Sequence, residues 1–78
     1  MTPQELGTII RATRKAKGLR QEELAGAAGV GVRFLVELER GKTTAQIGKA
    51  LQVLRVLGCE TSITPPADAW SAPEIVVR

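Results

Sequence analysis

Between Thr2 and Leu57, apolar residues return every three or four positions, the period of helices that bury one face. After Gly58 the period changes to alternation. The first run, Leu6, Ile9, Ile10, Thr13 and Ala16, is the expected buried stripe of a helix. Thr2-Pro3-Gln4-Glu5 marks its start: Thr2 caps, Pro3 takes the first helical position and Glu5 closes a capping box. Gly18 ends it as a left-handed cap, and Leu19 drops back toward the core. The last helical run carries Ile47, Ala50, Leu51, Leu54 and Leu57 on one face, with Val53 and Val56 to the side, and stops at Gly58. Thr43 with Gln46, or Thr44 alone, is its expected cap. So wide a stripe exceeds what a small bundle needs for packing. The excess, Val53 and Val56, points to a subunit contact. Gly48 costs this helix ~1 kcal/mol relative to Ala, which close approach of a neighbour would explain.

The stretch Gln21 to Leu38, QEELAGAAGVGVRFLVEL, reads as two short helices around one turn. Leu24 and Ala28 point inward from the first, and Ala25 is small where a crossing helix must approach. Gly29 falls where the chain has to bend through a left-handed conformation, which glycine adopts without the steric cost of a Cβ. Val30 plugs the junction, and Leu35 and Leu38 bury the inner face of the second helix. Together these offsets are those of a helix-turn-helix. Gly41 is expected to stop the second helix.

In Cys59-Glu60-Thr61-Ser62-Ile63-Thr64, Cys59, Thr61 and Ile63 alternate with polar residues, which predicts a six-residue strand. With no other strand expected in the chain, the simplest partner for its backbone is the same strand of a second copy across a two-fold axis. Residues 1–64 therefore form the expected domain, and 65–78, opened by Pro65-Pro66, a flexible tail. Trp70 in that tail is either an anchor that orders on a partner or a side chain folded back onto its own domain. Ile75-Val76-Val77 offers a second, short contact.

The chain of 78 residues is enough for one small domain, in which an oligomer interface is the available staple. A lone Cys59 and no histidine give no disulfide and no metal site, and no cofactor is expected. An enzyme is not expected either, since the chain carries no activated nucleophile and no glycine-rich phosphate loop. No apolar run approaches a membrane span and no signal-peptide pattern opens the chain, so a cytoplasmic, nucleoid-associated protein is expected. Charge is asymmetric: residues 1–55 hold ten Lys and Arg against five acids, whereas 56–78 hold one Arg against three. The basic part suits a polyanion. Arg11, Arg14, Lys15 and Lys17 lie largely outside the first helix's stripe, and Lys15 and Lys17 read as a solvated face.

With this spacing and the sequel LERGKTTAQIGKALQVLRVLG, the chain resembles the phage-repressor-type (XRE) helix-turn-helix family over about residues 5 to 64. GVRFLVELERGK followed by IGKALQVLRVLG resembles in particular the HipB-type antitoxins. The resemblance implies an all-α bundle of four to five helices with a C-terminal strand paired between subunits. It also implies a homodimer on a palindromic double-stranded DNA operator, and a HipA-type kinase toxin as second partner. A stand-alone repressor, or an interaction module that no longer binds DNA, are the alternatives. Arg20 stands where the family usually has a Thr or Ser cap, and Val36 where a polar residue is common.

Within that picture, the N-terminal end of the second helix of the motif enters the major groove. Arg33 is the expected base reader, its fork matching the O6 and N7 acceptors of guanine. Val32 is placed to touch a thymine methyl. Val36 follows one turn later beside Glu37, which either accepts from a cytosine N4 or is plain surface. Phe34 is expected to pack sideways on the bundle. Gln21, Gly31, Arg40 and Lys42 are the expected phosphate contacts. Arg14 and Glu39 resemble the family's ion pair bracing the first helix on the third. Dimerisation is assigned to Val53, Val56, Cys59, Thr61 and Ile63, and toxin binding to Trp70.

Overall fold

Helix α1 (Pro3–Ala16) packs on α3 (Val32–Glu39), which pairs with α2 (Gln21–Ala28), and α4 (Ile47–Leu57) closes the bundle against α1 and α2. Strands β1 (Thr61–Ile63) and β2 (Ile75–Val77) follow. This computed structural model describes residues 1–68 and the backbone of 75–77. Trp70, the expected partner anchor, lies outside the described residues. The arrangement is the all-α helix-turn-helix bundle that the apolar period implies.

The local signals act as their chemistry requires. Thr2 Oγ1 accepts from the Glu5 backbone N–H at 3.1 Å, and Glu5 Oε1 accepts from the Thr2 backbone N–H at 3.0 Å, completing the capping box of α1. Arg20 supplies no side-chain cap to α2, but the other half of a box survives: Glu23 Oε1 accepts from the Arg20 N–H at 2.9 Å. Gly29 ends α2 at φ +70°, and the Val30 N–H returns to the Ala25 carbonyl at 3.0 Å. Helix α4 begins without either threonine cap; its N-cap is Gln46, which makes no capping bond.

Ile10, Leu24, Leu35, Val53 and Leu57 are the largest fully enclosed side chains, with Leu38, Leu54, Ala25, Ala28 and Ala50 around them. Leu6, Leu19, Val30 and Phe34 pack on this core from its margin. Fully burying one Leu or Val is worth roughly 1.5–3 kcal/mol, so these few residues supply most of the apolar driving force.

Three expectations are corrected. The buried line of α1 is Gly7, Ile10 and Arg14, while Ile9 and Ala16 are exposed, because the helix rolls to lay Gly7 against the end of α3. In α4 the enclosed line is Ala50, Val53, Leu54 and Leu57, and Ile47 is 76% exposed. Both lines satisfy the same three-four spacing; Ile47 is the first helical residue and overhangs the bundle's edge. Val53 is thereby removed from any surface offered to a second copy. Gly48 has open space where its Cβ would stand, so no neighbour within the described residues accounts for it.

The third correction concerns the strand. It spans three residues rather than six, and its partner is in the chain: β1 pairs antiparallel with β2, Thr61 opposite Val77, Ser62 opposite Val76 and Ile63 opposite Ile75. Part of the expected free tail therefore returns to the domain. Cys59 belongs to neither strand. Its N–H donates to the Leu54 carbonyl at 2.9 Å, closing α4 behind Gly58, and its side chain packs half-buried on the core.

Candidate nucleic-acid interface

Helix α3 is amphipathic across its short length. Leu35 and Leu38 are buried, whereas Val32 is 41% exposed and the Arg33 side chain 93% exposed at its N-terminal end. Gly31 precedes it in extended conformation (φ −72°, ψ 149°) and is exposed. This end therefore projects a small apolar residue and a guanidinium from the domain. Val36 and Glu37, one turn later, are half-buried. Phe34 faces the bundle, with the Lys49 ammonium 5.6 Å from its ring centroid, as a cation–π pair.

A buried polar network fixes the angle at which α3 is presented. Arg14 Nε donates to Glu39 Oε2 at 2.7 Å and Nη2 to Glu39 Oε1 at 3.1 Å, while Nη1 donates to the Leu19 carbonyl at 2.8 Å. Gln21 Nε2 also donates to Glu39 Oε1, at 3.1 Å. One carboxylate thus ties together α1, the start of α2 and the end of α3. The hydrogen bond to Glu39 pushes the Arg14 pKa above its ordinary value against the opposing effect of burial, so the guanidinium stays charged. Both residues are buried, and every buried side-chain polar atom among the described residues has a partner. Because one amide hydrogen of Gln21 goes to Glu39, a phosphate contact from this side chain would use the other.

Above that network lies a recess of about 290 Å³ lined by Arg11, Arg14, Gln21, Val36, Glu39 and Arg40. Arg11 and Arg40 are its exposed cations. Arg11 is not among the residues expected at the interface. A signal was available: Arg11 stands three residues before Arg14 and shares its side of the helix, so tying Arg14 to Glu39 brings Arg11 to α3 as well.

Glu37 anchors a second, more exposed network. Its Oε1 accepts from Arg33 Nε at 3.2 Å, and its Oε2 pairs with the Lys42 ammonium. The Lys42 N–H also donates to the Glu37 carbonyl at 3.1 Å. The Lys42 hydrogen bond, then that of Arg33, holds the Glu37 carboxyl below the usual carboxylate range.

Of the remaining residues assigned from the sequence, Val56 is 40% and Ile63 72% exposed, and Thr61 is half-buried in β1. They lie away from α3 in the chain order, on the last helix and the strand that follows it. Among the described residues, no group of three or more Cys, Asp or Glu side chains is placed to hold a metal ion. No helix among them is long and apolar enough to cross a membrane.

The profile of the family described as Helix-turn-helix matches residues 10–63. Over 67 residues the chain is 58% identical to the HTH-type transcriptional regulator y4mF of Sinorhizobium fredii, covering 86% of this chain and 88% of that protein. It is 43% identical over 63 residues to the HTH-type transcriptional regulator YazB of Bacillus subtilis, covering 77% and 88%. An HTH-type transcriptional regulator of Methanothermobacter thermautotrophicus is 42% identical over 53 residues, covering 68% and 77%. The matched span takes in the α2–α3 pair, the Arg14–Glu39 brace and the whole of α4, and the chain belongs to the XRE-type helix-turn-helix family.

Proposed function

We propose that this protein is a DNA-binding transcriptional repressor that acts as a homodimer on a palindromic operator. One observation carries the reading. The exposed N-terminal end of α3, with Val32 and Arg33, leads to a group of exposed cations at the other end of the same helix, Arg11 and Arg40 around one recess and Lys42 beside Glu37. A helix of this kind fits the major groove with its N-terminal end, and the cations gathered at its other end fit the phosphates at the groove's edge. In this reading Arg33 reads guanine and Val32 a thymine methyl, while Gln21, Gly31, Arg40 and Lys42 hold phosphate. The names of the relatives, all HTH-type transcriptional regulators, support it.

Two copies joined through Val56 and the outer edge of β1, near Thr61 and Ile63, would present two such helices to half-sites ~34 Å apart. Footprinting on the chain's own promoter is the test. Two protected half-sites one helical turn apart are expected, and protection of one half-site by a monomer would remove the dimer from the reading.

The finer role, antitoxin to a HipA-type kinase toxin, rests on the resemblance of GVRFLVELERGK and IGKALQVLRVLG to HipB-type proteins. Co-purification with the product of the neighbouring gene tests it. A complex with a kinase-like protein supports the antitoxin; its absence leaves the stand-alone repressor.

A further inference from the structure

We propose that Glu37 does not read a base but positions the reader: its carboxylate holds the Arg33 guanidinium by Nε and turns the terminal nitrogens toward the groove. The inference deepens the DNA-binding reading and rests on it. Both carboxylate oxygens are engaged within the chain, Oε1 by Arg33 and Oε2 by Lys42, which leaves only their second lone pairs for a base. A carboxylate accepting from a cytosine N4 would need an oxygen facing outward. Height along the helix face agrees. The Glu37 side chain is 30% exposed, and that of Arg33 93%, so the acid is recessed and the guanidinium stands at the tip.

Arginine reads guanine with a two-nitrogen fork against O6 and N7. An arginine held at Nε by a residue one turn along its own helix keeps both terminal nitrogens for that contact, with less rotamer freedom left to lose. Lys42 completes the device. One carboxylate between two cations leaves this end of α3 net positive, so the acid orients Arg33 without repelling the phosphates. The depressed pKa of Glu37 fits a carboxylate kept ionised by both cations.

The test compares wild type, Glu37→Gln, Arg33→Ala and the double variant, all in the full chain, in selections from randomised duplexes and in titrations against random-sequence DNA. Glu37→Gln should lower the preference at the same base pair that Arg33→Ala affects, by roughly fivefold or more. The double variant should lose no more than Arg33→Ala alone. Binding to random DNA should tighten in Glu37→Gln, because one negative charge is gone and Lys42 is released. A Glu37→Gln effect at a different base pair, or one additive with Arg33→Ala, would overturn the proposal.

A second readout needs no DNA. In the free protein, the Arg33 Nε–H should exchange with water more slowly than in Glu37→Gln; equal rates would also overturn the proposal. Failure of the wild-type chain to bind any duplex would instead sink the DNA-binding reading. The exchange result keeps the two failures apart.

Discussion

Gly7 lies against the carbonyl oxygen of Leu38: a Cβ built at Gly7 would stand 2.5 Å from it and 2.6 Å from the Glu39 carbonyl oxygen. Both are backbone atoms at the end of α3 and cannot swing aside. Helix α1 thus meets the third helix backbone to backbone, and Ile10 and Arg14 follow along the same line. Gly41, at φ +86°, makes the reciprocal approach, its absent Cβ falling 2.8 Å from the Gln4 Cα.

Gly7→Ala should therefore destabilise the domain by about 1–3 kcal/mol, overcoming the ~1 kcal/mol that alanine gains in helix propensity. Gly48→Ala, with open space at its Cβ, should stabilise by up to about 1 kcal/mol. Urea unfolding of both variants checks the pair. A loss of stability at Gly48 would mean that a second copy occupies that space.

Arg14 and Glu39 form a buried, fully hydrogen-bonded pair, so removing one partner strands the other charge. Arg14→Met and Glu39→Gln should each cost roughly 3–5 kcal/mol, a large part of a small domain's stability. Replacing both by apolar residues should cost much less than the sum. Equal and additive losses in denaturation curves would show that the pair is solvated in solution.

Arg11 should matter for affinity and not for sequence preference. Arg11→Ala is expected to weaken operator and random DNA alike and to lower the salt slope by about one, read from titrations at several salt concentrations. An unchanged slope would place Arg11 away from the phosphates.

Val53 and Val56 should separate packing from association. Val53→Ala should cost about 2 kcal/mol of stability through the cavity it leaves, at any protein concentration. Val56→Asp should leave the monomer folded and abolish the dimer, as read by sedimentation. A Val56→Asp chain that still sediments as a dimer would move the interface elsewhere.

Glu37 should titrate below the ordinary glutamate range, its Lys42 bond being the larger cause. Its contribution to stability is complete above the unfolded-state pKa and is lost as pH falls through the lower folded value. Carbon-13 titration of the carboxyl should give a midpoint below that of an unpaired glutamate, and one that rises in Lys42→Met. A midpoint unmoved by that substitution would assign the shift to Arg33.

The sequence by itself determined most of what neighbours along the chain carry, the missing threonine cap of α4 being the local signal that failed. The capping box at Thr2 and Glu5, the left-handed turn at Gly29 and the three-four apolar period need a few adjacent residues, and they produced four helices and the helix-turn-helix. Tertiary structure decided what depends on distant segments. It chose Val53 over Ile47 from two apolar lines of identical spacing, because only the bundle says which side of α4 faces inward. It brought Arg11 to α3 through Arg14 and Glu39, 25 positions apart. It engaged both oxygens of Glu37 with Arg33 and Lys42, and it gave β1 a partner in β2 where alternation alone suggested a second chain. Period is a local property of the backbone, whereas the side that is buried is set by whatever packs against it.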